Sequence, residues 1–339
     1  ETALAKVSMT MVQRRDPHAV YHKMPIDSLK AMASGFDWNT YLGTRGLAKI
    51  DSVNISSLDF FRGFPALLAG TSLEDWKIYL RWCALDDAMS TLTQDFAKEA
   101  FRFNKNLTGA REMEPRWKRC LRATDGDLGD VLGRAYIEAQ FPPVARERAM
   151  TMVHNLEAAL GDRIAVLDWM SPVTKLEAKK KLAAFSEKIG YPETWRDYKG
   201  VTVTSGSWYA NRMSVRVYET QRNLDKIGKP VDKGEWYMST PTVNAFYSPQ
   251  LNSINFPAGI LQAPFFDPSW DDASNYGGIG AVIGHEMTHG FDDQGRQFDL
   301  QGNLRDWWTA DDAKAYKVRA DKVVEQFNGY TVLDSLHVN

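Results

Sequence analysis

Apolar residues in the first half of the chain recur at helical spacing. Ser72-Leu73-Glu74-Asp75 opens the clearest case. Trp76, Tyr79, Leu80, Cys83 and Ala84 then follow at i, i+3, i+4, i+7 intervals through to Asp87. Asp16-Pro17 offers an N-cap with proline at the first helical position. Ser28 to Ala33 and Trp38 to Leu42 fit short helices. Pro115 to Leu121, Leu128 to Ala139 and Val144 to Leu160 continue the texture around the Pro142-Pro143 break. A further helix starts at Ser171-Pro172, carries Lys179-Lys180-Lys181 as a solvated face and ends near Gly190. Beyond Tyr191-Pro192 the pattern changes. Val201-Thr202-Val203-Thr204 is β-branched, Val243, Ala245 and Tyr247 alternate with other neighbours, and Ile254-Asn255-Phe256 closes on Pro257. All three read as strands. A helix returns after Gly277-Gly278, from Ile279 to Phe291. The pattern predicts a mainly α chain with a smaller α+β part, the change of texture falling between residues 171 and 205.

Composition narrows the function classes. The 339 residues are 44% hydrophobic and 25% charged, as in ordinary globular proteins, so a disordered or collagen-like chain is excluded. Lys plus Arg is 41 against 43 Asp plus Glu, a net charge of −2, so no global basic field draws the chain to nucleic acid. No apolar run reaches the roughly 18 residues of a membrane span. Two cysteines, Cys83 and Cys120, cannot form a disulfide framework for a chain of this length. The chain starts at Glu1 without a signal-peptide pattern and stops at Leu336-His337-Val338-Asn339. It is expected to be a segment of something longer.

The sharpest chemical feature is His285-Glu286-Met287-Thr288-His289, set in the helix-compatible run Ala281-Val282-Ile283-Gly284. On a helix, i and i+4 side chains share a face about 5–6 Å apart. Two imidazoles so placed can hold one Zn²⁺, and Glu286, one residue round, can reach a water beside it. A metal hydrolase needs that combination of a Lewis acid, a water of lowered pKa and a carboxylate to take its proton. The bland alternative is two core-helix histidines with an exposed Glu286. Asp292 and Asp293 lie near the His face at i+7 from His285 and i+4 from His289. Either could accept the second ring N–H of a liganding His and fix its tautomer. They could equally be carboxylates at a helix end, mildly opposed by the dipole.

A third protein ligand is not evident. The spacing that would supply a third His meets Gly295. Glu325 is the one Glu after the motif and reads as a solvated helix position, while Asp306, Asp311 and Asp312 sit in a helix-start pattern around Trp307-Trp308. His18 and His22 also stand at i, i+4, but without an intervening Glu they read as structural or solvated. His154 and His337 are single. Asn54-Ile55-Ser56 and Asn106-Leu107-Thr108 fit a glycosylation sequon that is frequent by chance.

The run Val282 to Arg296 resembles the zinc helix of the neprilysin and endothelin-converting-enzyme family. So do Val243-Asn244-Ala245-Phe246-Tyr247, Asn255 to Phe266, Asn275 to Gly280, Trp117-Lys118-Arg119-Cys120 and Lys188 to Pro192. The resemblance covers essentially the whole chain. It implies a zinc endopeptidase or oligopeptidase with one Zn²⁺, cutting small peptides before bulky apolar residues. His285 and His289 would be zinc ligands, Glu286 the general base, and Asn244 and Ala245 the holders of the substrate backbone. It also implies a connecting segment at 1–48, a helical domain capping a cavity at 49–170, a linker at 171–205 and a thermolysin-like catalytic domain at 206–339. That last domain would be cut before the Gly-Glu-Asn-Ile-Ala-Asp-like segment holding the third ligand. Peptides are the implied partners and an extracytoplasmic compartment the implied location. In animal members Cys120 would pair with a Cys near residue 322. Lys322 stands there, which points to a bacterial-type member with a free Cys120. The competing expectation is a catalytically incomplete chain, or a non-catalytic module, that captures extended peptides.

Overall fold

The structure, a computed structural model, describes residues 1–333 and 336–337. The expected chain end at Val338 and Asn339 lies outside the described residues. The fold is mainly α with a small sheet part. Two compact units emerge from contact density: residues 1–115 with 201–214, and residues 116–200 with 215–339. The helix Trp208–Leu224 contributes residues to each.

The first unit is a set of helices around a small core. Leu29, Ala33 and Ile55 are buried there, with Met24, Trp38, Val53 and Phe61 packed on them. The helices Ile26–Met32, Trp38–Thr44 and Leu73–Ala88 fall where periodicity places them, and Ser72 caps the last by accepting from the Asp75 N–H. Two expectations fail here. Asp16-Pro17 opens a turn rather than a helix, because the Asp16 carboxylate accepts from the His18 N–H two residues on, a local bond that competes with helix entry. Val201 to Thr204 forms no strand. With no neighbouring strand to pair with, Thr202 N donates to Ser214 Oγ and Thr204 N to Asn211 Oδ1. His22 is structural, its Nδ1 standing 2.9 Å from the Ile55 carbonyl.

The second unit holds the main core. The long helices Arg116–Gln140 and Pro143–Val166 lead into Pro172–Leu182. The two expected helices on either side of residue 128 merge across a kink at Leu128, whose φ of −132° and ψ of 42° leave the helical region. Pro172–Leu182 ends well short of Gly190, because Ser186–Gly190 is taken into a sheet. In that sheet Ser186–Gly190 runs parallel to Ser253–Pro257, which is antiparallel to Phe246–Ser248 at the edge. All five residues of the central strand are buried, and Ile254 and Phe256 meet Ile189, Ile260, Phe266 and Ile283 in one cluster. The helix Pro143–Val166 packs on Ser186–Gly190 and on Ile279–His289. Val243 and Ala245, expected in a strand, precede one: pairing begins at Phe246. The Lys179 to Lys181 run is not uniformly solvated. Lys181 is 1% exposed, on the inner side of its helix with Thr174, Ala178 and Leu182. Cys83 and Cys120 are both free thiols.

Asp312 joins two helix starts. It is buried, and its carboxylate accepts from Ser171 N and Oγ, Thr174 Oγ1 and Thr309 Oγ1. These bonds outweigh its burial and hold its pKa at about 2, below the ordinary 3.8. A depressed carboxyl pKa stabilises the fold above the unfolded value, and the contribution is lost as pH falls through the folded one. Asp312→Ala should therefore cost about 3 kcal/mol at pH 7 in urea unfolding. The gap between wild type and variant should close as pH drops from 3.8 towards 2.

Glu157 on Pro143–Val166 and Glu187 on the neighbouring strand lie close together, with the His154 ring nearby, all within 4.8 Å. Burial, and then the charge of Glu187, push the Glu157 pKa from 4.5 to about 8. The folded chain thus keeps a proton that the unfolded chain gives up, and stability falls as pH rises through that window. Glu157→Gln should leave thermal stability unchanged near pH 4.5 and raise it at pH 9. The gain should be roughly 1–2 kcal/mol, reduced because the side chain is only half-buried.

Candidate metal centre

The helix Ile279–His289 is amphipathic in a way that sorts its chemistry. Ile279, Gly280, Ile283, Glu286 and Met287 are buried, at i, i+1, i+4, i+7 and i+8, while His285 and His289 face outwards. The helix stops at His289, two residues earlier than expected, and Gly290 caps it. Helical geometry then sets the two imidazoles side by side. Their Nε2 atoms are 3.0 Å apart and their ring centroids 4.5 Å apart.

That separation can be tested against zinc. Two nitrogens bound to one tetrahedral Zn²⁺ at about 2.0–2.1 Å stand ~3.3 Å from each other. The pair at 3.0 Å fits with a small adjustment. The tautomer fits as well. His289 Nδ1 is 2.7 Å from Asp292 Oδ2, so the neutral ring donates its Nδ1–H to the carboxylate and keeps its Nε2 lone pair for a metal. Glu286 Oε lies in the same group of potential ligand atoms, all within 4.8 Å. Glu286 is 6% exposed. Burial raises its pKa above the ordinary glutamate value, while the two imidazoles and the Tyr247 backbone N–H favour the ionised form.

Asp292 does two things at once. Its Oδ2 meets His289, and its Oδ1 accepts from the backbone N–H groups of Gln294 and Gly295. The loop is therefore wrapped around the carboxylate that meets the ring. Asp293, also expected near the His face, turns elsewhere, accepting from Gln294 Nε2. None of the alternative third ligands reaches the pair. Glu325 is exposed on Ala310–Asn328, Asp306 pairs with Arg296, Asp312 is tied to Ser171, Thr174 and Thr309, and Asp311 is exposed. Among the described residues no third protein ligand joins the His pair and Glu286.

Asn244 is exposed and Ala245 buried, immediately before the edge strand Phe246–Ser248, which packs against the Ile279–His289 helix. In this state Asn244 Oδ1 accepts from the Ala245 N–H, at 2.9 Å. Sequence reasoning missed three supporting residues. Tyr247 presents its N–H to Glu286. Asn252, at a φ of 47°, takes the Tyr247 hydroxyl at 2.8 Å. Lys181 stands behind the loop. For Lys181 a signal existed: it falls seven residues after Thr174 and three after Ala178, on one helical face.

A mainly helical chain with a small mixed sheet and a His-Glu-x-x-His helix against its edge strand is the arrangement of a zinc metallopeptidase. The family model described as peptidase family M13 matches residues 1–192 with its N-terminal part and 244–339 with its other part. The chain belongs to peptidase family M13, the neprilysin and endothelin-converting-enzyme family. It is 34% identical over 357 residues to an endothelin-converting enzyme homolog of Locusta migratoria, spanning 100% of this chain and 49% of that protein. It is 33% identical to endothelin-converting enzyme 1 of Homo sapiens, spanning 98% of this chain and 45% of that one. The Mycobacterium tuberculosis zinc metalloprotease Zmp1, solved in complex with inhibitor, superposes with a TM-score of 0.90 at 39% identity. That match covers 98% of this chain and 50% of Zmp1. PepO from Lactobacillus rhamnosis gives a TM-score of 0.84 at 27% identity, over 97% of this chain and 52% of PepO. The chain thus spans about half the length of the relatives it matches.

Gly295 explains why the loop after the motif admits no side chain. A Cβ there would stand 1.8 Å from the His289 carbonyl oxygen and 2.7 Å from the Gly290 carbonyl carbon. Gly295→Ala should force the loop off Asp292 and destabilise the protein by about 2–4 kcal/mol. Thermal unfolding of the two proteins checks this, and an unchanged Tm contradicts it.

Proposed function

We propose that this chain carries the zinc helix and substrate strand of a zinc endopeptidase or oligopeptidase acting on small peptides. The observation that carries the reading is the convergence of the His285 and His289 Nε2 atoms at 3.0 Å beside a buried Glu286. His285 and His289 would hold one Zn²⁺, which supplies Lewis acidity towards the scissile carbonyl. Glu286 is placed to take the proton of the attacking water and to hand it to the leaving nitrogen. Burial raises its pKa above the ordinary glutamate value. The Tyr247 N–H limits that rise.

Asn244 and Ala245 would hold an extended peptide by its backbone. The edge position of Phe246–Ser248 supports this role, because a substrate strand can be added there. For that, the Asn244 side chain must release the Ala245 N–H. Asp292 would steady His289 through its ring N–H. Residues 206–339 are assigned to the catalytic part, and cleavage before bulky apolar residues and an extracytoplasmic location follow from the family resemblance. Among the described residues no helix is long and apolar enough to cross a membrane.

The test is Glu286→Gln in the full-length enzyme, assayed on a short fluorogenic peptide with zinc content measured in parallel. Zinc should be retained while turnover falls by at least about 10²-fold, the scale of a general base. Near-normal turnover with zinc bound would remove Glu286 from the chemistry.

A further inference from the structure

Lys181 is the most deeply buried lysine of the chain, 1% exposed in the interior of the second unit. An ammonium in such a place is costly unless its hydrogens are met. Here Nζ donates to the carbonyls of Gly295 at 2.6 Å and Phe298 at 2.7 Å, and lies 5.7 and 5.6 Å from the ring centroids of Tyr247 and Trp307. Two of those partners, Gly295 and Tyr247, lead to the candidate centre. Gly295, fixed by Lys181 through its carbonyl, gives its N–H to Asp292 Oδ1 at 2.7 Å. The other oxygen of Asp292 meets His289 Nδ1, also at 2.7 Å. Tyr247, under the ammonium, presents its backbone N–H to Glu286.

We infer that Lys181 is a positioning residue for the metal centre, setting the His289 ring through Gly295 and Asp292. The inference rests on the zinc reading of His285 and His289. Burial draws the Lys181 pKa down to about 7, against the opposing pull of Asp292 and Asp299. The clamp does not depend on that titration, because a neutral amine still has two N–H donors for the two carbonyls.

The experiment is zinc affinity by chelator competition on the full-length protein, for wild type, Lys181→Met, Asp292→Ala and the double variant, with Tm recorded for each. Lys181→Met should bind zinc about 10- to 100-fold more weakly, the range seen when an outer partner of a metal ligand is removed. Asp292→Ala should do the same. The double variant should be no weaker than Asp292→Ala alone, since the lysine acts through that carboxylate. Zinc-saturated Lys181→Met should lose kcat with KM unchanged. A lowered Tm with wild-type zinc affinity would show a merely structural lysine and overturn the inference, as would additive losses in the double variant. If Lys181→Met does not fold, Lys181→Gln, which keeps an amide donor, takes its place and should give an intermediate affinity. Failure of both to fold makes Lys181 structural and the inference falls. Wild-type protein without zinc affinity refutes the metal-centre reading itself, before any variant is compared, and takes this inference with it.

Discussion

The site depends on the burial of one face of an eleven-residue helix. Ile279, Ile283 and Met287 are each at most 1% exposed, packed with Ile254, Phe256 and Phe266 in the core. At about 25 cal/mol per Å² of apolar surface, three such side chains contribute several kcal/mol, enough to fix the rotation of the helix about its axis. Once that rotation is fixed, the 3.6-residue period decides the rest. Glu286 falls seven residues after Ile279 and turns inwards. His285 and His289 fall on the other side and turn outwards, their Nε2 atoms converging. A carboxylate with restricted water and two convergent imidazoles both follow from the one apolar stripe.

What the helix does not fix, the loop behind it does. His289 is the last helical residue, where a ring could turn freely. Asp292 removes that freedom by holding Nδ1, and is itself held by the Gln294 and Gly295 N–H groups. The loop closes so tightly that only glycine fits at 295. Lys181 then ties the back of that loop to the helix Pro172–Leu182. In a nearly dry interior such hydrogen bonds are stronger than the same contacts would be at the surface.

Much of this was legible in the sequence, and for identifiable reasons. The helix was readable from its apolar period, and the same period sets His285, Glu286 and His289 along it. The central strand was readable from Ile254-Asn255-Phe256 closed by Pro257. Ser186–Gly190 was not, because its pairing to Ser253–Pro257 is set by contacts some 67 residues away in sequence, which local pattern cannot carry. The same limit applies in reverse to Val201 to Thr204, whose β-branched residues find no partner strand and bond to Asn211 and Ser214 side chains. Spacing set Asp292 against His285 and Asp293 against His289, but that arithmetic needs the helix to continue, and it ends at His289: Asp292 meets His289 instead and Asp293 turns to Gln294. Lys181 was misread because a lysine run suggests solvent, although its spacing from Thr174 and Ala178 points inwards.

The most direct test of the account is zinc K-edge X-ray absorption on the zinc-loaded full-length protein, with His289→Ala as the comparison. Two imidazole nitrogens at about 2.0–2.1 Å in wild type, and one fewer in the variant, are the expected result. A zinc environment without imidazole, or one that His289→Ala leaves unchanged, would contradict the claim that the buried stripe of the Ile279–His289 helix builds a metal centre.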